Sequence, residues 1–153
     1  PDGTSWQSGD CDRDDADTGV VTQGFAWNGV VYVSAESMVV PTTQHEMLHT
    51  NDGSDFPSRV GGILSEGITE LLTLQSLRQA GIRMPGATAY PLEVRIASLL
   101  AAKLGIDVIK RAYFEDVDVL VKAYLKKVPS TWEELLAATR TRDSGKVRTV
   151  LKM

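Results

Sequence analysis

His45-Glu46-Met47-Leu48-His49 constrains this chain more than any other stretch. Both histidines of the chain lie in it, four positions apart, with a glutamate beside the first. On a helix, residues i and i+4 sit one above the other on the same face. Two imidazoles at that spacing can occupy adjacent corners of one tetrahedral zinc. Glu46 points partly away from that axis and can reach a water on the metal rather than the metal itself. In the H-E-x-x-H pattern such a glutamate serves as general base on that water. The bland alternative is a pair of ordinary surface histidines.

A tetrahedral site with one open position needs a third protein ligand. No third histidine exists, so the downstream candidates are carboxylates. Leu64-Ser65-Glu66-Gly67-Ile68-Thr69-Glu70-Leu71 offers two, again at i and i+4, at the start of an apolar helical run.

These two stretches together resemble the gluzincin metallopeptidases, which pair H-E-x-x-H with a glutamate on a following helix. The likeness is specific over residues 41–75 and general elsewhere. It implies zinc held by His45, His49 and Glu66, with Glu46 as the catalytic base. It also implies that Glu70 is the acidic residue that orients a ligand histidine; the swapped assignment of Glu66 and Glu70 stays open. Sixteen residues separate His49 from Glu66, fewer than in the best-known members, which suggests a compact variant. The implied reaction is endopeptidase cleavage of a protein or peptide substrate. Related enzymes add a tyrosine or histidine donor at the oxyanion. With no histidine left over, Tyr90 is the first choice, and Tyr32 and Tyr113 are its rivals.

Two other readings stand beside this one. Peptide deformylases also carry H-E-x-x-H with an upstream cysteine ligand, and Cys11 lies upstream. The Asp10-Cys11-Asp12 context does not match theirs, and the Ser-Glu-Gly-Ile-Thr-Glu stretch would go unexplained. A non-catalytic zinc-binding interaction module is the remaining alternative.

At 153 residues the chain suffices for one domain with a sizeable core. No apolar run approaches the ~20 residues of a membrane span, and no signal peptide is visible. A start at Pro1 reads as a piece of something longer. Compact metallopeptidases of this resemblance also occur as terminal toxin modules of larger secreted bacterial proteins. A single cysteine excludes an intramolecular disulfide framework. Residues 1–70 hold 12 acidic and 2 basic side chains, whereas residues 71–153 hold 8 and 14. An acidic half carrying the site repels nucleic acid, so none is expected as a partner.

The expected class is α+β: a small N-terminal hairpin followed by a mainly helical domain. Residues 1–19 read as a flexible acidic arm, 20–140 as the domain and 141–153 as a basic tail. The aspartates of the arm imitate a calcium loop, but Asp15 and Val21 stand where such a loop needs glycine and glutamate. Val20-Val21-Thr22 reads as a short strand. Asn28-Gly29 between Phe25-Ala26-Trp27 and Val30-Val31-Tyr32-Val33 signals a hairpin. Residues 30–34 are a candidate edge for pairing with extended substrate.

Pro41 suits the first turn of the motif helix, which should run to about Thr50. Residues 51–61 then read as a loop anchored by Phe56-Pro57. A helix is expected over 62–79, with Gly67 permitting close approach of the motif helix. A second, over 91–104, should bury Leu92, Val94, Ile96, Leu99 and Leu100. Asp107 should cap a short helix to Phe114, and 116–128 should form another. Ser130-Thr131-Trp132-Glu133 reads as a capping box for a last helix. The segment from Arg140 reads as a late strand or a frayed end.

Overall fold

The computed structural model describes residues 24–27, 30–33, 40–53, 55–82 and 88–153. The expected arm, Cys11, Val20-Val21-Thr22 and the tip of the hairpin lie outside the described residues.

The architecture is α+β, as expected. Strands β1 (Gly24–Trp27) and β2 (Val30–Val33) form an antiparallel hairpin, with Phe25 opposite Tyr32 and Trp27 opposite Val30. Eight helices follow among the described residues: α1 (Val40–His49), α2 (Phe56–Val60), α3 (Gly62–Gln79), α4 (Pro91–Leu104), α5 (Ile106–Phe114), α6 (Asp118–Lys127), α7 (Trp132–Arg140) and α8 (Ser144–Leu151). None is long and apolar enough to cross a membrane.

The hairpin packs on α1, and α1 packs on α3. A two-stranded ribbon is marginal alone, so this helix supplies the surface it needs. Helix α3 is the centre of the fold and meets α1, α2, α4 and α7. Leu64, Ile68 and Leu72 put its apolar side into the core with Ile96, Leu100, Ile109 and Leu120. Glycine punctuation sets the joints: Gly61, Gly81 and Gly105 have positive φ values of 78°, 75° and 105°.

Several local expectations are corrected. The stretch 51–61 is not all loop. It contains α2, in which Phe56 is fully buried and meets the Tyr113 ring edge-to-face at 4.9 Å. The α5 helix begins at Ile106 with Gly105 at its N-cap, so Asp107 lies within its first turn instead of capping it. Leu92 is 46% exposed, because the buried stripe of α4 runs through Glu93, Ile96, Ala97, Leu100 and Leu104. That stripe follows the three-and-four spacing of a helix face, and position 92 falls off it.

The capping box is shifted by one residue. Thr131 Oγ1 accepts from Glu134 N at 3.2 Å, and Glu134 Oε2 accepts from Thr131 N at 2.8 Å. The Ser130 hydroxyl is engaged elsewhere, with the Tyr124 hydroxyl and the Val150 carbonyl. The last segment is neither a strand nor frayed. Asp143 caps α8 by accepting from Gly145 N and Lys146 N, and Val147 and Leu151, one turn apart, are fully buried.

Gly67 is also corrected. A Cβ there would lie 2.3 Å from the Glu93 carbonyl oxygen, so the close neighbour is α4 and not the motif helix. The start of α4 therefore lies close against α3 beside Glu66, and the segment just before it brings Tyr90 onto the His45 ring and Thr88 to Glu70.

Candidate metal centre

Helix α1 presents His45 and His49 on one face, as the four-residue spacing requires, and their rings meet edge-to-face with centroids 4.8 Å apart. Thr50 and Asn51 close the helix. The Thr50 hydroxyl and the Asn51 side-chain amide both donate to the Met47 carbonyl, at 2.8 and 2.7 Å. This satisfies one of the orphan carbonyls at the helix end. Helix α3 brings Glu66 and Glu70 to the opposite side of the same gap.

The four side chains meet in a defined order. His45 Nε2 lies 3.1 Å from Glu66 Oε2 and 3.1 Å from His49 Nε2. His49 Nε2 lies 3.4 Å from Glu66 Oε1. On its other side, His45 Nδ1 lies 2.9 Å from Glu70 Oε2. Zinc–nitrogen and zinc–oxygen bonds of about 2.0–2.2 Å place tetrahedral ligand atoms roughly 3.3–3.5 Å apart. The observed spacings of 3.1–3.4 Å come close to that, so His45, His49 and Glu66 can share one ion.

The donor chemistry sharpens this. An ionised carboxylate only accepts, so His45 Nδ1 must donate to Glu70. A neutral His45 then has a bare lone pair at Nε2, facing both the Glu66 carboxylate and His49 Nε2. Converging lone pairs repel unless a proton or a metal cation lies between them. With protons alone, the cluster takes the first solution. Burial alone would lower the His49 pKa, but the carboxylates of Asp52 and Glu66 overcome it and raise the value to about 10. His45 is raised as well, burial again being outweighed by the bonds to Glu66 and Glu70. Burial would raise Glu66, yet the two imidazoles hold it down at about 2.

Glu46 is buried at the edge of this cluster. Among the described residues its carboxylate makes no hydrogen bond. Burial raises its pKa, and the neighbouring histidines offset part of that rise. A buried carboxylate with a raised pKa and free acceptor capacity is suited to taking up a proton.

Of the three tyrosines considered from sequence, the structure brings Tyr90 to the cluster. Its ring stacks on His45 with centroids 5.2 Å apart and planes 16° from parallel. Burial, reinforced by the charges of Glu66 and Glu46, pushes its hydroxyl pKa up and keeps the proton on. Tyr113 is instead a core residue whose hydroxyl bonds Thr69 Oγ1 at 2.9 Å. Tyr32 lies on β2 of the hairpin.

Two residues of the site were not expected. Asp52 Oδ2 lies 3.8 Å from His49 Nδ1, an ion-pair distance on the side away from the cluster. Asp52 lies beyond the end of α1, so the turn that follows the helix, and not a helix-face spacing, brings it to His49. Thr88 donates from Oγ1 to Glu70 Oε1. It reaches the site from a separate loop, and no local pattern announces it. A cavity of about 90 Å³ lined by Ser58, Gly61, Ile63, Leu136 and Arg140 shares no residue with this cluster.

No family model matches the chain, and no curated protein or solved structure matches it.

Proposed function

We propose that this chain hydrolyses peptide bonds of a protein or peptide substrate, with zinc held by His45, His49 and Glu66. One observation carries the proposal: two imidazole nitrogens and a carboxylate converge at 3.1–3.4 Å beside a buried glutamate. A hydrogen-bonded cluster needs no such neighbour, whereas hydrolysis does.

Bound zinc supplies Lewis acidity, polarising the scissile carbonyl and acidifying water at the site. Glu46 accepts a proton from the attacking water as its oxygen bonds to the carbonyl carbon. The same carboxyl then delivers that proton to the amine as the carbon–nitrogen bond breaks. Its raised pKa serves the first half, since a more basic carboxylate takes the proton more readily. Tyr90 keeps its hydroxyl proton and donates a hydrogen bond to the developing oxyanion. Glu70 holds His45 with Nε2 aimed inward, and Asp52 does the same for His49 from farther away. On this reading the division of labour resembles that of the gluzincin-type peptidases.

The test is a mixed peptide pool read for new termini by mass spectrometry. Zinc-loaded wild type is compared with Glu46→Gln and with a chelator-treated control. New termini should come from the zinc-loaded wild type, with a loss of at least roughly 100-fold in Glu46→Gln. Cleavage by Glu46→Gln at the wild-type rate would sink the assignment of the base. Folded, zinc-loaded wild type that cuts nothing in the pool would overturn the peptidase reading as stated.

A further inference from the structure

The hydrogen bonds around Glu70 form a chain whose direction is fixed at each link. Tyr90 N–H donates to Thr88 Oγ1 at 3.1 Å. A backbone amide can only donate, so the Thr88 oxygen accepts there and its own proton is free to point elsewhere. That proton goes to Glu70 Oε1. The other oxygen, Glu70 Oε2, accepts from His45 Nδ1 at 2.9 Å. Each carboxylate oxygen thus has one donor, and the plane of the carboxylate is fixed from both ends. The same three-residue segment also lays the Tyr90 ring against His45. One loop therefore grips His45 twice, by its Nδ1 edge through Thr88 and Glu70 and by its face through Tyr90.

We propose that Thr88 is a positioning residue for His45, its hydroxyl locking the Glu70 carboxylate that keeps the imidazole Nδ1-protonated and Nε2 aimed at the metal position. This rests on the zinc-hydrolase reading above for its metal consequence, but the lock itself exists without metal. Removing the hydroxyl leaves Glu70 with one donor instead of two and lets its carboxylate rotate about its last torsion. His45 then samples ring orientations in which Nε2 no longer faces His49 and Glu66. The Tyr90 amide loses its acceptor at the same time, so the ring stacked on His45 loosens too.

The experiment compares wild type with Thr88→Val, Thr88→Ala and Thr88→Ser. The first readout is zinc affinity by competition with a chromophoric chelator. Thr88→Val and Thr88→Ala should each bind zinc roughly 3–10-fold more weakly, less than loss of a direct partner of a ligand costs. Thr88→Ser, which keeps the hydroxyl, should bind like wild type. The second readout is the downfield proton signal of His45 Nδ1–H in the metal-free protein. It should persist in wild type and Thr88→Ser and be lost to solvent exchange in the two variants without a hydroxyl.

Unchanged zinc affinity and an unchanged proton signal in either hydroxyl-free variant would overturn the proposal. So would a loss that serine does not restore, since that would assign the effect to the threonine methyl. Wild type that binds zinc but cuts no peptide would count against the hydrolase reading and leave the Thr88 result standing. If wild type binds no zinc, the metal site falls, and the proton signal alone decides the role of Thr88.

Discussion

Gly67 and Glu93 meet backbone to backbone: a Cβ on Gly67 would lie 2.3 Å from the Glu93 carbonyl oxygen and 2.6 Å from its carbonyl carbon. This contact joins α3 to α4 one residue from Glu66 and three residues from Tyr90. The absence of a side chain at one position thus decides how closely the 88–90 segment approaches the cluster.

Gly67→Ala is therefore expected to destabilise the protein. Alanine favours a helix over glycine by ~1 kcal/mol, which alone would stabilise. The clash is with backbone, so no rotamer change relieves it, and overpacking of this kind typically costs roughly 1–3 kcal/mol. The clash should win. Urea denaturation checks the sign, and a higher midpoint for Gly67→Ala would mean that α3 and α4 do not approach this closely. Since the 88–90 segment precedes α4 directly, zinc affinity should fall in the same variant.

The parts of this fold that were readable from sequence share a cause: their signals are local. Gly62 to Gln79 and Pro91 to Leu104 carry helical spacing between glycine or proline punctuation, and both helices lie where that pattern puts them. His45, His49, Glu66 and Glu70 follow the same logic, since two i, i+4 pairs on two helices need only face each other. What was not readable depends on partners distant in sequence. Thr88 reaches Glu70 from another loop. Ser130 and Thr131 both fit the capping pattern, and contacts with Tyr124 and Val150 decide between them. Helix α8 offers few apolar residues, and Val147 and Leu151 become core positions only once other helices cover them.

The metal-free protein should show a stability maximum with two different shoulders. His49 has its pKa raised from 6.5 to about 10 on folding. Its contribution is fully present below the unfolded value and is lost as pH rises towards about 10, because the native state binds the extra proton there. Glu66 is lowered from 4.5 to about 2. Its contribution is present above the unfolded value and is lost as pH falls towards about 2. Stability should thus be greatest between roughly pH 5 and 6 and decline on both sides. Urea midpoints measured across pH with a chelator present give the curve. Glu66→Gln should remove its share of the acid arm and shrink the alkaline arm, because Glu66 is one of the groups holding the proton on His49. An alkaline arm unchanged in that variant would show that the two residues are not coupled.

Glu66 and Glu70 are both carboxylates on one face of α3, and their geometry assigns them different work. Glu66 faces the inner nitrogens of both histidines, at 3.1 Å from His45 Nε2 and 3.4 Å from His49 Nε2. Glu70 faces only the outer nitrogen of His45 and is held in turn by Thr88. On the proposed zinc site, Glu66→Ala deletes a ligand and leaves two imidazoles, too few for a stable tetrahedral centre. The purified variant should carry no zinc after dialysis. Glu70→Ala keeps all three ligands but frees the His45 ring, and its zinc affinity should drop by roughly 10–100-fold. Metal content by elemental analysis, followed by chelator competition on whatever zinc remains, separates the two. Complete zinc loss from Glu70→Ala beside a zinc-retaining Glu66→Ala would reverse the assignment, and with it the direction in which His45 presents its lone pair.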